Sequence, residues 1–137
     1  MFLDTNVVID LLRARRPQVR ARFAEARRNG VGMSLSSIVL FELRFGALNG
    51  AHVEANLRAL DAWLAEGFEI IDFGEADATE AGEIRAHLRR EGREIGPYDI
   101  LIAAQARRRG ATLVTHNTKE MSRVPGLQVV DWAMSGG

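Results

Sequence analysis

Short apolar runs alternate with longer amphipathic stretches along the chain. Met1 to Leu3 reads as a buried strand, followed by a helix from Val7 to about Arg13 with Thr5 or Asn6 as its N-cap. Pro17 suits the first turn of a second helix, which turns Val19, Phe23 and Ala26 inward and stops at Asn29-Gly30. Val31 to Leu35 is the second strand, and Ser36 or Ser37 caps a third helix running to about Leu48. Val53, Leu57, Leu60 and Leu64 keep helical spacing and predict a fourth. Phe68 to Phe73 is a third strand, and a fifth helix covers about Ala76 to Arg90. Gly96-Pro97 opens a sixth helix, which Gly110 ends; Thr112 to Thr115 and Leu127 to Asp131 complete the strands.

This alternation predicts an α/β fold, a three-layer α/β/α sandwich around a central, mostly parallel twisted sheet of four to five strands. One domain covers 1–133, with a frayed tail at 134–137. Two successive helices between the second and third strands predict a helical arm. Its Phe41, Phe45, Leu48, Leu57, Leu60, Trp63 and Leu64 are more apolar surface than a thin projection can bury alone. Either that surface is an interface or both helices lie flat on the sheet.

Composition narrows the function classes. The 137 residues carry a formal net charge of zero, so no global basic field points to nucleic acid. All but one of the 18 basic residues are arginine, the exception being Lys119. Arginine suits phosphate forks and base stacking, although a GC-rich genome produces the same bias. With no cysteine, disulfides, thiolate nucleophiles and thiolate-held zinc are excluded. No apolar run is long enough to span a membrane and no basic leader opens the chain, so a cytoplasmic location is expected.

Three carboxylates stand in apolar surroundings. Asp4 ends the first strand, Glu42 interrupts Ile38-Val39-Leu40-Phe41 and Leu43, and Asp99 opens Ile100-Leu101-Ile102-Ala103-Ala104. None has a Lys or Arg three or four residues away. Singly, Asp4 can cap a helix, Asp99 can complement a helix dipole, and Asn117 can be a turn residue. Jointly, one divalent cation satisfies all the acids, and oxygen donors suit Mg²⁺ or Mn²⁺. Thr115 and Asn117 follow the fourth strand at the same rim of the sheet, where ligands of open parallel sheets bind. His52, His87 and His116 do not form a metal-ligand pair, but His116 stands close enough to touch substrate. A Gly-rich phosphate loop and a nucleophile elbow are both absent.

Four segments together resemble the PIN domain family, and most closely its VapC-type toxins. They are Phe2-Leu3-Asp4-Thr5-Asn6, the run from Ser36 to Leu43, the run from Gly96 to Ala104, and the run from Leu113 to Met121. The resemblance implies a Mg²⁺-dependent endoribonuclease, with Mn²⁺ as a substitute, in which metal-activated water hydrolyses RNA. It also implies a homodimer, neutralised by a small VapB-like antitoxin, with higher complexes between the two. By position, Asp4, Glu42 and Asp99 hold the metal, with Asp4 and Asp99 as direct ligands. Asn117 stands where many relatives have a fourth acid, with Glu120 one turn on. Thr5, Asn6 and Thr115 look like supports of these ligands. Arg13, Arg15, Arg16 and Arg93, with His116, are candidate RNA contacts, whereas Arg107-Arg108-Arg109 suits a helix C-terminus.

Other readings need parts the chain lacks. A receiver domain needs an acidic pair after its first strand, and a dehalogenase-type phosphatase needs a second Asp where Asn6 stands. A non-catalytic PIN-like RNA-binding scaffold rests on Asn117 alone.

Overall fold

A computed structural model describes residues 1–134; the rest of the predicted tail, Ser135 to Gly137, lies outside the described residues. Five short strands, β1 (Phe2–Leu3), β2 (Ser34–Ser36), β3 (Glu69–Ile71), β4 (Thr112–Val114) and β5 (Gln128–Val130), form one sheet. Its order is β3-β2-β1-β4-β5 and every pairing is parallel. The helices are α1 (Thr5–Leu12), α2 (Pro17–Arg28), α3 (Ser37–Leu48), α4 (Val53–Leu64), α5 (Glu75–Arg90), α6 (Pro97–Arg108) and α7 (Thr118–Met121). The chain builds outward from β1 to β3, then returns to lay β4 and β5 on the other side. Right-handed crossovers in opposite directions put helices on opposite faces, which gives the three layers.

Each inner strand is buried on both faces. Phe2, Leu3, Leu35, Leu113 and Val114 pack against Val7, Val39, Ile102 and Ala103 from the helices. A second aromatic cluster stacks Trp63 on Phe68 at a centroid distance of 4.0 Å, with Phe23 beside both.

Several boundaries differ from the sequence reading. The cap of α1 is Asp4, whose Oδ1 accepts the Thr5 N–H at 2.8 Å, so the helix starts at Thr5 rather than after it. Strand β2 is shifted towards the chain's C-terminus. Val31 and Gly32 are exposed, and the ladder runs to Ser36 opposite Ile71. Helix α7, a single turn, is too short for periodicity to reveal. The helix pair α3–α4 resolves residue by residue. Leu60 and Trp63 dock into the core, whereas Phe41, Phe45 and Leu48 stay exposed along one side of α3.

The three consecutive arginines act as a clasp between α5 and α6. Asp77, 1 % exposed, accepts Arg108 Nε and an Arg109 guanidinium N–H, both at 2.9 Å, and also the Gly74 N–H at 2.9 Å. Arg107 pairs with Glu80 at 2.7 Å. Burial alone raises the Asp77 pKa. The bonds from Arg109, Gly74 and Arg108 outweigh it and hold the carboxyl at about 2. Because the folded pKa lies below the ordinary 3.8, this stability is present above that value and is lost as pH falls towards 2. Asp77→Asn should therefore lower unfolding free energy by about 2 kcal/mol at neutral pH. In urea titrations the difference from the parent should shrink as pH falls towards 2.

Candidate active site

Strand order reverses at β1, and the carboxyl ends of β1 and β4 open a crevice there. Asp4 leaves β1 into that crevice while its own N–H donates to Val114 O at 2.9 Å, which keeps the two strand ends together. Its Oδ2 accepts the Thr115 hydroxyl at 2.8 Å. Thr115 is fully buried, and its Oγ1 accepts the Asn117 N–H at 3.0 Å, which fixes the hydroxyl's direction. The Asn117 amide donates to Glu120 Oε2 at 3.0 Å. Thr5 bridges two acids, giving its N–H to Asp4 and its hydroxyl to Glu42 Oε1 at 2.7 Å.

Asp99 completes the group from the first turn of α6. Its carboxylate turns back over the helix start, where a Cβ on Gly96 would lie 3.1 Å from Oδ2. Glycine is what leaves it room. Partial burial, then the charges of Asp4, Glu42 and Glu120, raise Asp99 to about 6. Burial likewise raises Asp4, against the bonds from Thr115 and Thr5 and the His116 charge. Among the described residues none of Asp4, Glu42, Asp99 and Glu120 forms an ion pair with a basic side chain.

These donors fit a hard cation chemically. All are oxygens, they carry excess negative charge, and among the described residues no Lys or Arg pairs with them. They do not form a closed cage: among the described residues no group of three His, Cys, Asp or Glu side chains is placed to hold a metal ion. Mg²⁺ tolerates that arrangement, because it usually keeps several waters and takes only one or two carboxylates from the protein.

Other candidate residues fall elsewhere. Asn6 is exposed on α1 and makes no side-chain hydrogen bond among the described residues. His116 is held between two aspartates. Its Nε2 meets Asp10 Oδ2 at 2.7 Å and its Nδ1 meets Asp131 Oδ1 at 3.0 Å, so neither nitrogen is free. Arg16 is drawn to Asp10 at 3.4 Å. Arg13 and Arg15 remain exposed at the end of α1, and Arg93 is exposed before the Asp99 segment. Asp10 and Asp131 were not legible as partners of His116, since 106 and 15 residues separate them from it.

Fold and site together define a doubly wound α/β protein with a group of carboxylates at its topological switch point. The PIN domain model matches residues 1–127, and the chain belongs to the PIN domain family, in its VapC group. It is 40% identical over 132 residues to a tRNA(fMet)-specific endonuclease VapC of Shigella flexneri, covering 96% of this chain and 97% of that one. A Ribonuclease VapC2 of Haemophilus influenzae is 36% identical over 131 residues, with 96% of each chain covered. Among solved structures, VapBC2 from Rickettsia felis bound to a promoter DNA fragment superposes with a TM-score of 0.88 at 35% identity. That match covers 96% of this chain and 97% of the other. DNA-bound VapBC from Salmonella typhimurium gives 0.86 at 37%, with 96% of each chain covered.

The raised Asp99 pKa has a stability consequence with a definite sign. The folded value, about 6, lies above the ordinary 3.8, so ionisation at neutral pH opposes folding and the penalty is relieved as pH falls from 6 to 3.8. Asp99→Asn should stabilise the fold at pH 7 by roughly 2 kcal/mol, discounted for partial solvation. Thermal melts should show that gain vanish below about pH 4.

Proposed function

We propose that the chain is a Mg²⁺-dependent endoribonuclease toxin that cuts RNA and is neutralised by a VapB-like antitoxin. The observation that carries this is the set of four carboxylates, Asp4, Glu42, Asp99 and Glu120, near one another at the switch point with no Lys or Arg paired to them among the described residues. Asp4 and Asp99 are the direct metal ligands in this reading, and Glu42 either binds through water or orients the attacking water. Glu120 supplies the negative charge that an amide at Asn117 lacks, and Asn117 holds it in place. When bound, Mg²⁺, or Mn²⁺ in its stead, activates water and offsets charge developing on a phosphodiester. Thr115 and Thr5 keep the Asp4 and Glu42 oxygens aimed into the crevice without adding charge. Arg13, Arg15 and Arg93 are exposed and would track the phosphate backbone.

The substrate class follows the relatives. The Shigella protein's name specifies tRNA(fMet), and that RNA is the first substrate to try here. The solved neighbours are complexes with antitoxin, so a homologous small protein is the expected partner in the cytoplasm. The exposed stripe of Phe41, Phe45 and Leu48, with Tyr98 edge-on to Phe41 at 5.5 Å, supports a homodimer or an antitoxin contact. Membership of the PIN domain family sets aside the receiver and phosphatase readings, which need a second acid after β1.

Purified chain should cut tRNA(fMet) with Mg²⁺ and stop when EDTA is added. Asp4→Asn and Asp99→Asn should each lower cleavage by at least about 100-fold while the far-ultraviolet spectrum is kept. Mg²⁺ should raise the melting temperature of the parent more than that of Asp99→Asn. Cleavage undiminished in EDTA overturns the metal assignment; RNA binding with no cleavage under any divalent ion favours the scaffold.

A further inference from the structure

A second concavity adjoins the acids through Glu42. It is a cavity of about 170 Å³ between α1, α3 and α4. Aliphatic side chains such as Ile9, Leu12 and Leu43 form its walls, and Arg13, Glu42 and Asn56 are its polar members. We propose that this cavity is a subsite for one nucleobase of the RNA strand, next to the scissile phosphodiester. The proposal rests on the nuclease reading and gives it a determinant of sequence preference.

Size, charge and position point the same way. The volume is below that of pockets for drug-sized ligands and suits one flat ring. The Glu42 carboxylate disfavours an anion beside it and Arg13 balances its charge, which suits a neutral occupant. The same carboxylate accepts from Thr5, whose N–H bonds Asp4. A ring in the cavity is therefore one residue removed from the acids, and within an RNA strand each base lies beside its own phosphates. One strand can fill both places.

The polar members separate a base from an apolar peptide side chain. An aliphatic group would cover Glu42 and Asn56 while offering neither a partner, which is unfavourable. A base edge carries both donors and acceptors. The Asn56 amide N–H reaches Ala47 O only at 3.4 Å, and its carbonyl oxygen makes no hydrogen bond among the described residues. Arg13 has no carboxylate partner among them and can meet a base edge or the adjoining phosphate. Sequence-selective RNA proteins commonly take unpaired bases into such pockets.

Gly46 provides the test. It lines the cavity from α3, and a Cβ built there meets nothing within 4 Å. Gly46→Leu therefore starts its side chain in open space at the cavity wall and narrows the cavity, and it removes a helix-interior glycine. In an Asp99→Asn background, which blocks turnover, short single-stranded RNAs carrying 2-aminopurine at successive positions are titrated by fluorescence. One position should respond, and Gly46→Leu should weaken that RNA's binding by about tenfold with the local signal lost. Gly46→Ala should bind like the parent. Asn56→Leu, should Gly46→Leu fail to fold, should flatten discrimination among bases at that position.

A positional signal that survives Gly46→Leu, or no positional signal, overturns the subsite. With active protein, an abasic ribose beside the cut should slow cleavage in the parent and make no further difference in Gly46→Leu; equal slowing in both overturns the subsite and leaves the nuclease standing. Loss of the fluorescence signal in Gly46→Leu, in a chain that cuts no RNA, keeps the subsite and defeats the nuclease. If Gly46→Leu loses only an antitoxin peptide and binds RNA unchanged, the cavity belongs to a protein partner and the proposal fails.

Discussion

Burial and mutual repulsion of four carboxylates that no Lys or Arg pairs with, among the described residues, are the constraint around which this chain is arranged. Asp99 shows the effect: burial first, then three negative neighbours, move its pKa to about 6. A fold seeking only stability would place an arginine in the crevice, and the chain has arginines in abundance. Instead Arg107, Arg108 and Arg109 are committed to Glu80 and Asp77. The unfavourable charge in the crevice is tolerated because favourable charge pairing is concentrated elsewhere. That division marks the crevice as a candidate functional site.

Neutral groups do the positioning. Thr5 and Thr115 direct the Asp4 and Glu42 oxygens by hydrogen bonds that add no charge. A lysine or arginine in either place would satisfy the acids permanently and compete with a metal. Asn117 does the same for Glu120 through its amide. An aspartate there could not donate to Glu120 and would repel it. The residue that looked like a lost acid instead steadies an acid one turn further on.

Much of this was legible because the relevant signals are local. Asp4, Glu42 and Asp99 stand out as charges inside apolar runs, and the alternation of runs gives the parallel sheet and its order of elements. What was hidden is non-local or too short. The His116 tie to Asp10 and Asp131 joins residues that only the fold brings together, so a histidine beside the site resembled a free one. Helix α7 is one turn and carries no periodicity, yet it delivers Glu120. The start of β2 was misplaced because Val31 has strand propensity, whereas tertiary pairing selects Ser34–Ser36. The helix pair divided between two readings because amphipathicity marks a surface as apolar without saying whether protein or partner covers it.

Asp4 shows how fold and chemistry share one residue. As the cap of α1 it accepts Thr5 N–H through one oxygen, and it accepts Thr115 through the other. Each oxygen still has a further lone-pair direction, so capping the helix does not exhaust the carboxylate as a ligand. The same two bonds lower its pKa against the rise that burial imposes, favouring the ionised form that a cation requires. Substituting asparagine retains an acceptor for the cap but removes the charge. Helix integrity and metal affinity are thereby separable at a single position. A loss of cleavage in Asp4→Asn would then report on electrostatics rather than on the collapse of α1.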